Sequence, residues 1–386
     1  MKNLLLLLCM LVWRGAIAQN FNYNQGGATT HNYYEEIPYE EVSGEMVIHV
    51  MVGGKARRFI FDTGAPVMLS DSLAGELKAK ELRQDTLTDI VSNKFVMSIV
   101  SADIKIGKTT FAGIPAIKGF KGDIMKCWNP DGIVGSNLLR HSIVSFDKAR
   151  RVIIITDQLS KLHLNARNKA KLTTSNDTQS SPILNIAVDT VDMQIEFDSG
   201  DSGFLRITDE IAQPLLQRKL CEVLDKGYGS GGMGMGGLQA NAPKLKLLFT
   251  PFKIGGETFK QAICSSNATG IPGIGSELLN YGTLTLDYLH GDYYFDPLKS
   301  EVELDKKSWP VDFWVTDGKL TAAVVWDKLA AQIKPDEQII AIDGTKYNNL
   351  SFCDMINNTF LDGKQTAVLT VKDAAGKLRK VTINYQ

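Results

Sequence analysis

The stretch Arg58-Phe59-Ile60-Phe61-Asp62-Thr63-Gly64-Ala65 decides how this chain is interpreted, because an apolar strand ends there in a carboxylate, a hydroxyl and a glycine. A second stretch, Phe197-Asp198-Ser199-Gly200, repeats that order after the strand-like Met193–Phe197. Glycine lacks a Cβ, so the backbone at each site can turn sharply and bring its N–H close to the carboxylate. The two stretches therefore predict two similar carboxylate-bearing turns.

The surroundings of these turns are repeated as well. Each aspartate is followed, after 73 and 77 residues, by the glycine of a second shared segment. These segments are Ile133-Val134-Gly135-Ser136-Asn137-Leu138-Leu139 and Ile274-Gly275-Ser276-Glu277-Leu278-Leu279. Two strands with a turn at Gly53-Gly54 precede the first aspartate, and strand-like Ile183–Val188 begins the second series. Two series in the same order indicate a duplicated lobe.

The two carboxylates could act together in catalysis if the two lobes pack about a pseudo-twofold axis. Asp62 and Asp198 would then meet, and two carboxylates about 3 Å apart share a proton because both cannot ionise. One can act as a general base toward water while the other acts as a general acid toward a carbonyl oxygen. The pair titrates as a unit.

On these motifs, residues 37–305 resemble an aspartic protease of the retropepsin/pepsin type, in the bacterial exported form with both lobes on one chain. The resemblance implies a peptide or protein substrate and neither metal nor cofactor. It implies Asp62 and Asp198 as the catalytic pair. The supporting residues that it implies are Thr63, Gly64, Ser199 and Gly200.

The sequence departs from this family at two positions near the second turn. Asp201 adds a third carboxylate, which would raise the proton affinity of the pair if it pointed inward and would be a solvated turn residue if it pointed outward. Gly273 stands where an apolar residue is expected. Flaps are expected over the substrate, with Gln84–Ser98 and the glycine-rich Gly227–Gly237 as candidates, although the second is also compatible with a plain flexible loop.

The C-terminal stretch, from about Lys306, resembles a bacterial PDZ domain. The segment Ile333-Lys334-Pro335-Asp336-Glu337-Gln338-Ile339-Ile340-Ala341-Ile342-Asp343-Gly344 carries this resemblance. It implies capture of a peptide C-terminus by strand addition. Such capture needs a loop that binds the carboxylate, and the only candidate in the sequence is Asp317-Gly318-Lys319-Leu320. The alternative is that the C-terminal stretch is a PDZ-like packing module.

The charge balance and the N-terminal pattern indicate which partners and which location to expect for the protein. The chain of 386 residues carries 42 Lys and Arg against 43 Asp and Glu, which argues against a nucleic-acid partner. Lys2, the apolar Leu4–Val12 and Ala16-Ile17-Ala18 form a signal-peptide pattern with cleavage near Ala18. We therefore expect export to a periplasm or beyond. No apolar run reaches the roughly 18 residues of a transmembrane span.

Four cysteines remain after that cleavage: Cys127, Cys221, Cys264 and Cys353. They have no metal-site spacing. One bridge is possible, but we expect them to be separate and mostly buried.

The predicted fold is mainly β, with two pseudo-twofold-related acid-protease β-barrel lobes and a small PDZ-like α+β domain. The predicted divisions are a signal peptide (1–18), a flexible lead-in (19–36), lobe 1 (37–160), a linker (161–181), lobe 2 (182–305) and the PDZ-like domain (306–386). The predicted function is that of an aspartic endopeptidase with PDZ-assisted docking. A catalytically inactive peptide-binding protein of the same fold and a structural exported β-protein are the alternatives.

Overall fold

The computed structural model of the chain describes residues 22–120, 124–175, 179–304, 307–358 and 360–386. Within these ranges the protein is mainly β, as the sequence predicts, with short helices between the strands. The predicted signal peptide and its cleavage site at Ala18 lie outside the described residues.

The first half of the protein, up to Thr156, is built on the predicted hairpin around Gly53 and Gly54. Its strands are β1 (Gly27–Ala28), β2 (Tyr34–Pro38), β3 (Glu40–Val42), β4 (Glu45–Val52), β5 (Lys55–Asp62), β6 (Met68–Leu69), β7 (Glu81–Thr88), β8 (Lys94–Ile106), β9 (Thr109–Lys118), β10 (Gly132–Gly135), β11 (Ile143–Asp147) and β12 (Val152–Thr156). Its helices are α1 (Asp71–Glu76), α2 (Ile124–Trp128) and α3 (Ser136–Leu139). Strands β4 and β5 pair antiparallel, so the hairpin prediction is confirmed.

Buried and exposed side chains alternate along β4, as expected for a strand with one face in the core. Ile48, Val50 and Val52 are buried, whereas His49 and Met51 between them are exposed. This period of two places one face of the strand in the apolar core.

The second half contains β13 (Lys169–Thr174), β14 (Pro182–Val188), β15 (Val191–Asp198), β16 (Leu205–Thr208), β17 (Cys221–Gly229), β18 (Met233–Gly234), β19 (Gly237–Leu238), β20 (Ala242–Phe249), β21 (Phe252–Ile254), β22 (Glu257–Lys260), β23 (Ile263–Asn267), β24 (Gly273–Gly275), β25 (Gly282–Asp287), β26 (Asp292–Pro297) and β27 (Glu301–Glu303). It also contains helix α4 (Asp209–Gln217), and short 3-10 turns occur at Leu159–Lys161, Ala166–Asn168 and Ser276–Asn280.

The strand pairings of the first half recur in the second. Strand β14 pairs with β15 as β4 pairs with β5. Strand β24 runs parallel to β15 and sets Gly275 opposite Asp198, just as β10 runs parallel to β5 and sets Gly135 opposite Asp62. The repeated sequence thus corresponds to repeated local topology.

Strands from both halves form one sheet in the order β2, β12, β11, β25, β26 and β13. At its centre Ser145 on β11 lies opposite Thr285 on β25, and the buried Thr285 hydroxyl donates to Ser145 Oγ at 2.8 Å. A single apolar core, with residues from Tyr33 to Leu304, continues across the two halves.

The outer strands of this sheet correct two of the predicted divisions. The sequence predicts a flexible lead-in at 19–36, but residues 34–36 begin β2, which pairs with β12, and Tyr33 before it is buried. It predicts a linker at 161–181, but Lys169–Thr174 within it pairs with both β14 and β26. Strand β2 contains two glutamates and β13 two lysines, residue types that are depleted in strands, so their composition does not favour a strand prediction.

The C-terminal unit comprises β28 (Val311–Thr316), β29 (Lys319–Trp326), β30 (Gln338–Ile342), β31 (Thr345–Lys346), α5 (Phe352–Asn357), β32 (Thr366–Lys372) and β33 (Leu378–Asn384). It has an apolar core of its own, which includes Leu320, Ile339 and Leu369. Strands β32 and β33 pair antiparallel and form a hairpin at the end of the unit.

Two connections fix the C-terminal unit to the rest of the chain. Strand β29 extends the sheet of the second half by pairing antiparallel with β17. A disulfide between Cys127 on α2 and Cys353 on α5 ties the unit to the first half. The expectation that the cysteines are separate and buried therefore holds for Cys221 and Cys264 but not for the other two, because folding brings together residues 226 positions apart.

Candidate active site

Each predicted aspartate lies at the end of a strand, in a turn stabilised by its own glycine. The N–H of Gly64 donates to Asp62 Oδ1 at 2.9 Å, and the N–H of Gly200 donates to Asp198 Oδ1 at 3.0 Å. The same bond therefore fixes the orientation of both carboxyl groups.

The two carboxyl groups lie against each other's turns. A Cβ added to Gly64 would be 2.5 Å from Asp198 Cγ, and a Cβ added to Gly200 would be 2.6 Å from Asp62 Cγ. The two carboxyl groups are close enough for Asp198 to raise the pKa of Asp62. The structure thus brings together the two aspartates that the sequence analysis singled out, and glycine is required where each carboxyl group meets the opposite backbone.

Thr63 and Ser199 bind the two turns together through four reciprocal hydrogen bonds. Each backbone N–H donates to the other residue's hydroxyl oxygen, at 3.0 Å in both cases. Thr63 Oγ1 donates to the carbonyl of Phe197 at 2.8 Å, and Ser199 Oγ donates to the carbonyl of Phe61 at 2.9 Å. Both side chains are fully buried, so water does not compete for these bonds.

Three aromatic rings pack together next to the two turns. Phe146 packs edge-on against Phe61 at 5.7 Å and against Phe197 at 5.4 Å between ring centroids. Phe61 and Phe197 each precede an aspartate in sequence, so one central ring contacts the base of both turns.

The surroundings of the pair favour retention of a proton. Burial raises the pKa of Asp62 well above its ordinary value, and the neighbouring Asp198 raises it further, whereas the Gly64 N–H bond opposes the shift. Burial likewise raises the pKa of Glu45, with Asp62 and Asp198 adding to the effect. Burial and then Asp198 raise the pKa of Glu196 to about 8. The site thus accumulates acids that are readily protonated.

Arg206 on β16 contacts one member of the pair, Asp198, and the sequence motifs do not predict this contact. Its Nη2 donates to Asp198 Oδ2 at 3.0 Å, and its Nη1 donates to the Asp201 carboxylate. Asp201 also accepts a bond from the N–H of Gly203 at 2.8 Å, so its charge faces a guanidinium and a backbone donor. A signal was present in the sequence, because Glu196 and Arg206 interrupt apolar strands and Gly273 replaces an apolar residue.

The two predicted flap segments meet at their tips. Asp89, at the turn between β7 and β8, accepts a hydrogen bond from the N–H of Gly236 at 2.7 Å. Asn93 Nδ2, from the same turn, donates to the carbonyl of Gly237 at 3.2 Å. The glycine-rich segment is held at this point by the first hairpin.

The C-terminal unit carries an open groove of about 650 Å³ between the start of β28 and the segment that follows α5. Trp309, Val311 and Phe313 line one side, and Phe360 and Lys364 line the other. Asp317-Gly318-Lys319-Leu320, the predicted candidate for a carboxylate-binding loop, instead spans the turn between β28 and β29. The groove is therefore formed by other residues than those the sequence suggested.

Among the described residues, no group of three or more His, Cys, Asp and Glu side chains is arranged to hold a metal ion. Within the same ranges no helix combines the length and the apolar character needed to cross a lipid bilayer.

A family described as aspartyl protease has a sequence model that matches residues 48–138 of this chain. The matched segment begins in β4, includes Asp62 and ends in α3, so it covers the first carboxylate turn and most of the segment that packs behind it. At the level of the family this similarity indicates a peptidase, that is, a hydrolase that acts on peptides or proteins. A comparison with curated proteins found no match.

Proposed function

We propose that this protein is an aspartic endopeptidase in which Asp62 and Asp198 form the catalytic pair. The observation that carries the proposal is the reciprocal packing of the two turns, in which the glycine of each turn leaves room for the other turn's carboxyl group. The match of residues 48–138 to an aspartyl protease family supports it from the sequence side.

The proposed reaction uses one proton held by the carboxyl pair. An ionised carboxylate takes a proton from a water molecule as the water oxygen attacks the peptide carbonyl carbon. The protonated partner gives its proton to the carbonyl oxygen, so a neutral tetrahedral intermediate forms without a separated oxyanion. Burial supports this chemistry, because it raises the pKa of Asp62 and so favours retention of a proton on the pair.

The experiment is peptide hydrolysis from acidic to neutral pH by the wild-type chain and by Asp62→Asn and Asp198→Asn. We expect both variants to lose essentially all activity. Asp192→Asn is the matched control, since it makes the same change at an exposed position of β15 and should leave the rate unchanged. An active Asp62→Asn or Asp198→Asn variant would show that the pair is not catalytic.

We further propose that the two halves are acid-protease lobes, built on residues 37–160 and 182–305 and extended by the strand residues 34–36 and 169–174. The recurring pairings of β5 with β10 and of β15 with β24 support this division. The hairpin tips at Asp89 and Gly236 would then be the flaps that cover a bound peptide.

The C-terminal unit, residues 306–386, is proposed as a PDZ-like domain that docks a peptide C-terminus. Its open groove between β28 and the segment after α5 supports this role, because Trp309, Phe313 and Phe360 line it with apolar surface that a peptide side chain could contact. A fluorescent peptide with a free apolar C-terminus should bind the full chain more tightly than the same peptide with a C-terminal amide. Equal binding of the two peptides would contradict this role and would indicate that the C-terminal unit is a packing module.

A catalytically inactive peptide-binding protein is the second candidate, and the Arg206 ion pair with Asp198 is the observation that favours it. Asp201 could disable the pair as a third carboxylate, but the hydrogen bonds from Arg206 and Gly203 to its carboxylate offset its negative charge. A wild-type chain that is inert at every pH but still binds peptide would establish this candidate.

Export is proposed together with the peptidase function. The disulfide supports it, because such bonds persist mainly in oxidising compartments outside the cytosol. N-terminal sequencing of the protein from its source cells should give Gln19 as the first residue, and an N-terminus at Met1 would contradict cleavage near Ala18.

A further inference from the structure

The two halves differ most sharply in the side chains next to their catalytic turns. In the first half, Ile133 on β10 lies opposite both Ile60 on β5 and Met68 on β6. All three side chains are almost completely buried and belong to one apolar cluster. The first turn is therefore supported by an uncharged surface.

The same register in the second half holds two ionisable residues. Gly273 on β24 lies opposite Glu196 on β15 and Arg206 on β16. A Cβ at position 273 would stand 2.4 Å from the guanidinium carbon of Arg206. The apolar residue expected at this position is missing because the guanidinium occupies its space.

The Arg206 guanidinium is held on three sides. Its Nη2 donates to Asp198 Oδ2 at 3.0 Å, and its Nη1 donates to the Asp201 carboxylate. Its Nε donates to the carbonyl of Ile271 at 3.1 Å. Only 16% of the Arg206 side chain and 10% of the Asp198 side chain are exposed, so the pair is largely shielded from solvent.

The groups that face Asp198 come from five elements of the fold. They are Glu45 on β4, Asp62 at the end of β5, Glu196 on β15, Asp201 in the second turn and Arg206 on β16. Any of the four other acids that is ionised disfavours a negative charge on Asp198, whereas Arg206 favours it. Burial raises the pKa of Glu45 and raises that of Glu196 to about 8, so Asp201, which accepts a hydrogen bond from Arg206, is the principal competitor for the guanidinium.

We propose that Arg206 is a positioning residue that keeps Asp198 ionised and so assigns the shared proton to Asp62. This inference rests on the proposed function, and it distinguishes two aspartates that are otherwise equivalent. Asp198 then takes the proton of the attacking water, and Asp62 donates its proton to the carbonyl oxygen. When the intermediate breaks down, the C–N bond opens, Asp198 returns a proton to the leaving amine, and Asp62 recovers a proton from the collapsing diol hydroxyl.

The test is the pH profile of kcat/KM for the wild type, Arg206→Met and Arg206→Lys. Loss of an opposite charge at this distance moves a carboxyl pKa upward by about one to three units, so the acid limb of the Arg206→Met profile should move upward by that amount. Arg206→Lys keeps the charge and should restore most of the shift. Arg218→Met removes a positive charge from an exposed position at the end of α4 and should leave the profile unchanged.

The first half supplies a design for a variant that folds without the charge. Because Met68 packs against Ile133, the double variant Arg206→Met/Gly273→Ile reproduces that apolar contact in the second half. It should show the same shifted acid limb as Arg206→Met. A profile like that of the wild type in either variant would overturn the inference while leaving the peptidase proposal intact.

A titration of the carboxyl groups separates the two proposals. With aspartate labelled by ¹³C at the carboxyl carbon, the resonance lost in Asp198→Asn reports the protonation of Asp198 directly. Its midpoint should rise in Arg206→Met by about one to three pH units, whether or not any peptide is cleaved. An inert wild type would refute the peptidase proposal alone, whereas an unmoved Asp198 midpoint would refute the role of Arg206 alone.

Discussion

Replacing Thr63 with valine should separate the two turns while preserving the shape of the buried side chain. The hydroxyl of Thr63 accepts a bond from the N–H of Ser199 at 3.0 Å and donates to the carbonyl of Phe197 at 2.8 Å. Valine offers neither bond, and both backbone groups lie in a region that water does not reach. A buried polar group left without its partner costs about 1–3 kcal/mol, so the two groups predict a loss of about 2–6 kcal/mol in the free energy of unfolding.

Urea denaturation of the full chain measures this loss, and peptide hydrolysis measures its effect on the carboxyl pair. Thr63→Ser is the matched control, because it keeps the hydroxyl and removes one buried methyl group, at about 1 kcal/mol. We expect Thr63→Val to be the less stable of the two and to have the lower activity. If Thr63→Val were as stable as Thr63→Ser, the reciprocal bonds would not hold the turns together.

Three further predictions concern the rest of the molecule. Replacing Cys127 and Cys353 with serine should lower the free energy of unfolding by about 2–5 kcal/mol under oxidising conditions and change nothing under reducing ones, as measured by urea denaturation. The wild type should lose stability between about pH 4.5 and pH 8, because the native protein holds the Glu196 proton up to about pH 8 while the unfolded chain releases it near its ordinary pKa. Glu196→Gln removes this titration, so thermal melting across the interval should show a flatter dependence of stability on pH for the variant than for the wild type. Asp89→Ala removes the acceptor of the Gly236 N–H and should lower kcat/KM several-fold without moving the acid limb of its pH profile.

The parts of the fold that the sequence predicts are those whose sequence pattern occurs in both halves of the chain. The two carboxylate turns, their preceding hairpins and the segments opposite Asp62 and Asp198 all follow from repeated local patterns. Such patterns depend on alternation and on glycine at fixed positions, which a single sequence displays directly. The mainly β character follows from the same features.

The charged support of the second turn was not predicted, because it depends on which residues become neighbours. Glu196 and Arg206 are separated along the chain from Gly273, and only the pairing of β24 with both β15 and β16 brings the three together. The departure at Gly273 was visible in the sequence, but its cause is the volume of a guanidinium group.

Long-range contacts account for the other differences. Strands β2 and β13 carry glutamates and lysines, so the strands they pair with in the folded sheet, rather than their own composition, determine that they form strands. The attachment of the C-terminal unit to β17 depends on the surfaces of two folded units. Neither contact leaves a local signature.

The bond between Cys127 and Cys353 closes a covalent ring that contains the whole second half of the protein. A single backbone cut inside this ring would open it without releasing a fragment. A peptidase that nicked itself there would therefore keep its full mass on a non-reducing gel and separate into pieces only after a thiol is added. Samples that look homogeneous without reductant can thus contain self-digested molecules, and the ratio of intact to split chains under reducing conditions would record how much cleavage has occurred.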